Sequence, residues 1–298
     1  MKTKLTGKAD NKGERTSHVY FAYHVPKCAG SSIDYYIAQN FGDQFLRPAR
    51  LKAPRIHFSS RNYQQPEMGA LEGIRFVSGH WIGRSLEACF PGRPIRQSIL
   101  LRDPLGFYLS YYNYRMKRYQ SQGMQAFSFD LFYRTRPLNP VSSFILTRVL
   151  EIPAPLVRLM SSEEKLHRIH EGLRDFWFVG SYRDCDQLLA MIAREEGGSV
   201  DFASRNKNPH KAVTEATLTD GQVNRIMEEN SLDQALYEHY CMKGDSAVAF
   251  SPSDPLKAIL KDFQRPFYSY LSHRLRELPD QQAADGHGFK RKVRPESW

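Results

Sequence analysis

Short apolar blocks alternate with longer helical patterns along this 298-residue chain. Such blocks, rich in β-branched and aromatic residues, predict strands, and they cover 19–25, 74–80, 95–103 and 175–184. The third block ends in a continuous apolar run, which is typical of a central strand in a parallel sheet. Apolar residues at helical spacing follow the first block and predict a helix there, namely Ile33, Tyr36, Ile37 and Phe41.

A second helix is expected to begin at Asp103 and Pro104, because aspartate is a good cap and proline is favoured in the first turn. Its predicted apolar face consists of Leu105, Tyr108, Leu109, Tyr112, Met116 and Tyr119. A short helix is expected within 81–90, and further helical patterns cover 120–175, 184–196, 217–243 and 254–277. Residues 42–73 contain several prolines and are predicted to form an irregular insertion. This alternation of strands and helices predicts an α/β fold with a mainly parallel central sheet flanked by helices.

The polar ends of the chain predict a basic N-terminal arm over 1–17 and a polar tail over 279–298, which leaves a single domain over 18–278. No apolar run approaches the roughly 20 residues of a membrane-spanning helix, and the N-terminus lacks a signal-peptide pattern. The cysteines, Cys28, Cys89, Cys185 and Cys241, form no CxxC pair. We therefore expect a cytoplasmic protein with reduced thiols and no metal site, and a single disulfide is the alternative.

The chain carries a formal net charge of +10, which favours an anionic ligand. The alternative is a basic surface without a specific ligand. Hydrophobic residues make up 41% of the chain, enough for a sizeable core, and this excludes a wholly disordered protein. No nucleic-acid-binding motif accompanies the dispersed charge, so we expect no nucleic-acid partner.

The stretch VPKCAGSS after the first strand is laid out like a phosphate-binding loop. Backbone N–H groups at Gly30, Ser31 and Ser32 would open the following helix, whose N-terminus favours an anion, and Lys27 adds a full charge. The order differs from the ATP and GTP loop, GxxxxGKS or GxxxxGKT, because Lys27 precedes the only glycine. The alternative is an ordinary turn with a capping serine.

Two other strands end in polar segments, SGH at His80 and RDP at Arg102. In an open parallel sheet ligands bind beyond the carboxyl ends of the strands, so these segments belong to one candidate site. Arg102 ends a buried strand and needs an anionic partner, which is either a ligand or a protein carboxylate such as Asp103 or Asp34. Ser110 lies two turns into the next helix, where the alternative is a merely structural serine.

These segments together resemble sulfotransferases that use 3′-phosphoadenosine 5′-phosphosulfate (PAPS), with PKCAGSS matching the PK-T-x-GT-S loop and LRDPLGFYLSYY the second signature. The SGHWIG segment resembles the carbohydrate branch, sulfotransferase family 2, which includes the heparan and chondroitin enzymes. FVGSYRD and RNKN resemble later segments of that branch. The resemblance covers roughly residues 19 to 240, and the order and spacing agree.

The resemblance implies a P-loop-containing sulfotransferase-like fold and assigns a role to each matching position. The loop would hold the 5′-phosphosulfate, Arg102 and Ser110 the 3′-phosphate, and Tyr182 would line the adenine side. Other donor-binding residues implied are Lys27, Cys28, Ala29, Gly30, Ser31, Ser32, Arg205 and Lys207. The chain departs from the family pattern at Cys28 and Ser31, which replace threonine, and at Tyr182 and Arg183, which replace Thr-Glu.

Sulfuryl transfer to an alcohol needs a base with a pKa near neutrality, which favours histidine, and His80 is the candidate. Lys27 would stabilise charge on the leaving phosphate, and no metal is required. His57 is the reserve base, with Glu72 and Asp34 as further alternatives. A structural histidine remains the alternative for His80.

The expected acceptor is a hydroxyl of a carbohydrate, a glycolipid or another small molecule, and Trp81 is a candidate for stacking on a sugar ring. The lack of a membrane anchor in this sequence favours a bacterial cytoplasmic enzyme, and the alternative is a chain from which an anchoring segment was removed. Two rival functions remain open at this point. One is a P-loop kinase, whose GKS or GKT order and Mg²⁺ ligands are missing, and the other is a non-catalytic polyanion-binding protein.

Overall fold

A computed structural model of the chain describes residues 18–50, 63–199, 212–242 and 264–274. The strands in these residues form one parallel sheet of five strands: β1 Val19–Tyr23, β2 Phe45–Leu46, β3 Phe76–Gly79, β4 Ile95–Leu101 and β5 Phe178–Ser181. Their spatial order is β2-β3-β1-β4-β5. The predicted α/β architecture with a parallel central sheet and flanking helices is therefore confirmed.

The described α-helices are α1 Gly30–Phe41, α2 Pro104–Ser121, α3 Phe129–Arg134, α4 Pro140–Phe144, α5 Ala154–Leu159, α6 Ser162–Leu173, α7 Cys185–Glu196, α8 Asp220–Glu229, α9 Ser231–Cys241 and α10 at 264–274. A π-helix, Ile145–Val149, continues directly from α4. The short helix expected within 81–90 is a 3₁₀ helix, Arg84–Cys89. Each helical pattern of the sequence thus corresponds to helix in the described residues.

The four predicted strands are present, and β2 is an additional edge strand within the segment expected to be irregular. Phe45 and Leu46 pair with Phe76 and Val77 of β3 in parallel register. Two residues are too few to show a hydrophobic period, so only their pairing with a distant strand reveals them. Residues 51–62 of this segment lie outside the described residues, as do the predicted arm at 1–17 and the tail at 279–298.

The chain divides into two compact units, the first formed by 1–101, 143–160 and 167–206. It contains the whole sheet, with β1 buried along its full length. Aromatic residues fill much of its core, where the Tyr20 ring stacks on Phe76 at 5.1 Å and the Phe41 ring also stacks on Phe76, at 4.3 Å. This aromatic packing fixes α1 and β3 against β1.

The second unit comprises 102–142, 161–166 and 207–298. Asp103 caps α2 as predicted, because its Oδ1 accepts a hydrogen bond from the Gly106 N–H at 2.6 Å. The predicted apolar face of α2 is buried at Leu105, Tyr108, Tyr112, Met116 and Tyr119, and Leu109 is half-buried. Asp233 is buried in α9 and accepts hydrogen bonds from the N–H groups of Val141 and Ser142. None of the helices in the residues described is long and apolar enough to span a membrane.

The sheet topology brings the loop after β1 and His80 to the same edge of the sheet. Strand β1 lies between β3 and β4, and Tyr23 is in register with Gly79 on one side and Ile99 on the other. The loop after β1 therefore begins beside His80, which follows β3, while Arg102 follows β4 directly. The strands that follow β1 in the chain lie on both sides of it, β2 and β3 on one side and β4 and β5 on the other, so the strand order reverses at β1. In open parallel sheets ligands bind at such a switch point.

Candidate functional site

The loop between β1 and α1 has an unusual backbone. Lys27 and Ala29 adopt positive φ angles of 66° and 61°, although neither is a glycine. Non-glycine residues in this region are uncommon and cluster at functional sites. The left-handed turns therefore fall on Lys27 and Ala29, whereas Gly30 begins the regular helix α1.

The N-terminus of α1 presents main-chain donors without a side-chain cap. Ala29 is the N-cap residue and makes no side-chain cap hydrogen bond, so a serine does not cap this helix. The Ser32 N–H donates to the Ala29 carbonyl at 2.8 Å, whereas the N–H groups of Gly30 and Ser31 find no acceptor among the described residues. The Ser31 side chain is exposed. These donors and the positive end of the helix can hold an anion.

Cys28 is buried in the loop, and its thiol donates to the Pro26 carbonyl at 3.5 Å. The thiol fills the interior of the turn. The main-chain N–H of Cys28 donates to the Val25 carbonyl at 3.2 Å, so both donors of this residue make hydrogen bonds inside the loop. A contact of Cys28 with the sulfate donor stays a prediction.

Gly30 is needed because the His24 ring packs against it. A Cβ atom at this position would lie 1.7 Å from His24 Cδ2 and 2.0 Å from Nε2, far inside van der Waals contact. Gly30 does not supply a left-handed turn, because its φ is not in the left-handed region. Its role in the structure is to leave room for an imidazole beneath the loop.

His80 is held through its Nδ1 atom. This nitrogen lies 2.7 Å from the main-chain oxygen of His24. A carbonyl oxygen only accepts, so Nδ1 carries the hydrogen and the neutral ring keeps its lone pair on Nε2. His80 is half-buried, and its ring centroid lies 3.9 Å from that of His24. The predicted base is thus fixed in a defined tautomer beside the anion loop.

Asp34 of α1 is buried below this pair of rings. Its Oδ1 accepts a hydrogen bond from the Ser78 hydroxyl at 2.6 Å, and its Oδ2 lies 3.5 Å from His24 Nδ1 and 3.3 Å from an Arg47 guanidinium nitrogen. Burial favours the neutral acid, but the Ser78 hydrogen bond and the favourable interactions with His24 and Arg47 outweigh it and lower the pKa of Asp34. Asp34 is therefore an ionised carboxylate that connects α1, β1 and β3.

We expect acid to destabilise the protein through His80. Burial, together with the nearby His24 charge, lowers the pKa of His80 to about 4. In the unfolded chain its pKa returns to about 6.5. Between about pH 4 and about pH 6.5 the unfolded state therefore binds a proton at residue 80 and the folded state does not. Stability from this group is present above about pH 6.5 and is lost progressively as the pH falls toward about 4.

This prediction is checked by urea unfolding of the protein and of a His80→Gln variant. The difference between their free energies of unfolding should fall by about 2 kcal/mol between about pH 7.5 and about pH 5. The introduced glutamine keeps an N–H donor for the His24 carbonyl but does not titrate, so contributions from other groups cancel. A difference that stays constant with pH would contradict a neutral, desolvated His80.

Arg102 and Ser110 share one face of α2 in the second unit. The Arg102 Nε lies 3.1 Å from the place where a Cβ on Gly106 would stand, so the guanidinium crosses the first turn of α2. Gly106 and Ser110 are four residues apart and therefore neighbours on the same helix face. Both Arg102 and Ser110 are half-buried. The structure thus places the two predicted phosphate ligands along one stripe of the helix.

Tyr182 follows the carboxyl end of β5 and begins a short 3₁₀ turn, Tyr182–Asp184. Its hydroxyl accepts a hydrogen bond from Arg183 at 3.3 Å, and its ring is half-buried. Asp184 caps this turn through the Ser181 N–H at 2.8 Å. Arg205 and Lys207, predicted to close over the donor, lie outside the described residues, as does the reserve base His57.

Trp81, directly after His80, has two guanidinium groups over its ring. Arg50 lies 4.5 Å and Arg148 4.7 Å from the ring centroid. Arg148 extends from the π-helix, a rare conformation that is frequent at functional sites. Burial and the neighbouring charge of Arg50 lower the pKa of Arg148. An aromatic ring with two cations therefore adjoins the predicted base.

Sequence reasoning missed His24, Ser78 and Arg47 as members of the site. Two signals were available. Asp34 lies between apolar residues on the buried side of α1, and a carboxylate buried in this way requires partners. His24 immediately precedes the loop at the end of a buried strand. Their mutual contacts depend on the pairing of β1 with β3 and cannot be read from local pattern.

No family model matches the chain, and no curated protein matches it. Within residues 18–50, 63–199, 212–242 and 264–274, no cluster of three or more His, Cys, Asp or Glu side chains is arranged to hold a metal ion. The absence of a metal from the reaction stays a prediction.

Proposed function

We propose that the protein is a PAPS-dependent sulfotransferase with a P-loop sulfotransferase-like fold, and that it acts on a hydroxyl of a carbohydrate or glycoconjugate. One observation carries the proposal. An uncapped helix N-terminus with a lysine in its loop lies beside a neutral histidine whose Nε2 lone pair is kept for a proton. The first feature suits the phosphosulfate group of the donor and the second suits an attacking alcohol.

The loop would bind the 5′-phosphosulfate. The N–H groups of Gly30 and Ser31 supply neutral donors, and the hydroxyls of Ser31 and Ser32 add to them. Lys27 supplies the positive charge that phosphate oxygens need when the sulfuryl group leaves. The strained backbone of Lys27 and Ala29 supports this role, because such conformations persist where function requires them.

Arg102 and Ser110 would bind the 3′-phosphate, the group that distinguishes this donor from ATP. A guanidinium presents several donors to one phosphate in a fixed planar arrangement, and a nearby hydroxyl adds one more. The shared face of α2 supports a joint role for these two residues. Tyr182, at the end of β5, is assigned to the adenine side.

In the reaction, His80 Nε2 accepts the proton of the acceptor hydroxyl as its oxygen forms a bond to sulfur. The sulfur–oxygen bond to the 5′-phosphate breaks in line, and adenosine 3′,5′-bisphosphate leaves with the charge that Lys27 neutralises. Positioning and charge neutralisation supply most of the catalysis, as in phosphoryl transfer. The pKa of His80, lowered to about 4, lies below the near-neutral value expected for this base; it keeps Nε2 unprotonated throughout the neutral range but makes the imidazole a weaker proton acceptor.

Trp81 would contact the acceptor, because it adjoins His80 in the chain. An indole face is a common platform for a sugar ring. Arg50 and Arg148 place positive charge at the same ring, which favours an acceptor that also carries a negative group.

The proposal is tested by calorimetric titration with adenosine 3′,5′-bisphosphate, using ADP and 5′-AMP as comparison ligands of similar size. We expect micromolar binding of the bisphosphate alone. Arg102→Ala should weaken it about 100-fold, which corresponds to the loss of a charge-assisted phosphate contact of about 3 kcal/mol.

Arg118→Ala is the matched control, because it removes the same charge from an exposed position near the other end of α2. This variant should bind the bisphosphate like the unaltered protein. Equal or absent binding of all three nucleotides would reject the sulfotransferase proposal. Binding of heparin that weakens with salt, without any nucleotide binding, would favour the non-catalytic polyanion-binding protein.

A further inference from the structure

A buried pair, His24 and Asp34, supports His80 from below. Both side chains are largely inaccessible to solvent, at 5% and 9% exposure. A buried carboxylate is costly unless it is paired, so its retention beneath the anion loop calls for an explanation. Neither residue reaches the surface at which a substrate would bind, so each can act only through its neighbours.

His24 contacts His80 in two ways. Its carbonyl oxygen accepts the hydrogen of His80 Nδ1, and its N–H donates to the Gly79 oxygen at 3.3 Å, so the main chain of His24 is bonded to the end of β3. Its ring lies against the His80 ring at 3.9 Å with an angle of 39° between the planes. One residue thus determines both the orientation of His80 and the charge next to it.

Asp34 in turn holds the His24 ring. The carboxylate lies 3.5 Å from His24 Nδ1, and the Ser78 hydroxyl fixes its other oxygen. A positive His24 ring next to His80 would oppose protonation of His80, because two cations at this separation repel each other strongly in a buried place.

We propose that His24 and Asp34 form a positioning pair that fixes the tautomer of His80 and keeps its imidazole uncharged. The pair would thereby keep the Nε2 lone pair of His80 free to accept a proton at neutral pH. A role of the pair in catalysis rests on the proposed function. The effect of the pair on the tautomer and charge of His80 does not depend on the proposed function. The charged and titratable groups that face His80 are His24 from the end of β1, Asp34 from α1 and Arg47 from the segment after β2.

The pair is tested by nuclear magnetic resonance of protein labelled with ¹⁵N in its histidines. The His80 signals are assigned from their loss in His80→Gln. In the unaltered protein we expect Nδ1 to carry the hydrogen and the ring to remain neutral down to about pH 5. An Nε2–H tautomer would overturn the proposal without any need for a further variant.

His24→Phe keeps a ring against His80 but removes the charge next to it and leaves Asp34 facing His80. We expect the pKa of His80 to rise by about one, a tenfold increase in proton affinity. His18→Phe, the same change just before β1, is the matched control and should leave the pKa of His80 unchanged. An unchanged pKa in folded His24→Phe protein would show that the pair is merely structural.

A double variant, His24→Gln with Asp34→Asn, serves if His24→Phe does not fold, because it removes both charges and leaves polar partners in place. The pKa of His80 should again rise, by less than in His24→Phe, and an unchanged value would reject the proposal. These measurements use no donor or acceptor. A failure of bisphosphate binding would therefore reject the sulfotransferase proposal while the pair could still be confirmed.

Discussion

Replacing His80 with glutamine should lower the rate of sulfuryl transfer about 1000-fold while leaving the binding of adenosine 3′,5′-bisphosphate unchanged. A positioned general base contributes between roughly 100-fold and 10,000-fold to such a reaction. The glutamine side chain retains a donor for the His24 carbonyl, so the local fold survives, but it offers no lone pair that can take up a proton. The expected loss is therefore in kcat, since the donor loop does not include residue 80.

The measurement is transfer of labelled sulfate from PAPS to an acceptor that reacts with the unaltered protein, combined with calorimetry of the bisphosphate. His18→Gln is the matched control, because it makes the same change away from the edge of the sheet that carries the loop, and should retain full activity. If His80→Gln transfers sulfate at the normal rate, the base is another residue. Glu72, which is exposed before β3, would then be the next to test, since Asp34 is ionised but buried.

Replacing Gly30 with alanine should lower the free energy of unfolding by about 3 kcal/mol, the largest effect on stability that we expect. Overpacking costs roughly 1 to 3 kcal/mol where neighbouring groups can adjust, and this value lies at the upper end of that range. The added methyl group would lie 1.7 Å from an atom of the His24 ring, so the ring or the first turn of α1 must move. His24 has little freedom, because its main chain is bonded to β3 and its ring contacts both Asp34 and His80.

Urea unfolding measures this loss, and Gly221→Ala is the matched control. Gly221 lies in the first turn of α8, and a Cβ there would meet no atom within 4 Å. Alanine is the better helix former, so Gly221→Ala should leave stability unchanged or raise it slightly. Gly30→Ala should also weaken bisphosphate binding, because the displaced turn carries the loop donors. Normal stability together with normal binding in Gly30→Ala would contradict the packing described for His24.

The two variants address different parts of the same site. His80→Gln removes the proton acceptor without disturbing its support, whereas Gly30→Ala disturbs the support through His24. If the positioning pair acts as proposed, Gly30→Ala should also alter the pKa of His80, although residue 30 lies on another element. The conformation of the loop and the pKa of His80 would then both depend on the packing of His24.

Local sequence alone determined which segments become strands and helices and where the site residues fall along them. The cap at Asp103, the buried face of α2 and the apolar blocks of β1, β3, β4 and β5 were all predicted, because period and capping depend only on residues a few positions apart. The positions of Lys27, His80 and Arg102 directly after strands followed from the same local patterns.

Only the tertiary structure decided which of these segments become neighbours. The strand order β2-β3-β1-β4-β5 places His80 beside the anion loop, and the bonds from His80 to His24 and from Ser78 to Asp34 join residues 56 and 44 positions apart. The edge strand β2 and the need for a glycine at residue 30 likewise arise from contacts between distant segments. Such contacts depend on strand pairing and on the volume left between packed side chains. Neither can be predicted from the hydrophobic periodicity of a single segment.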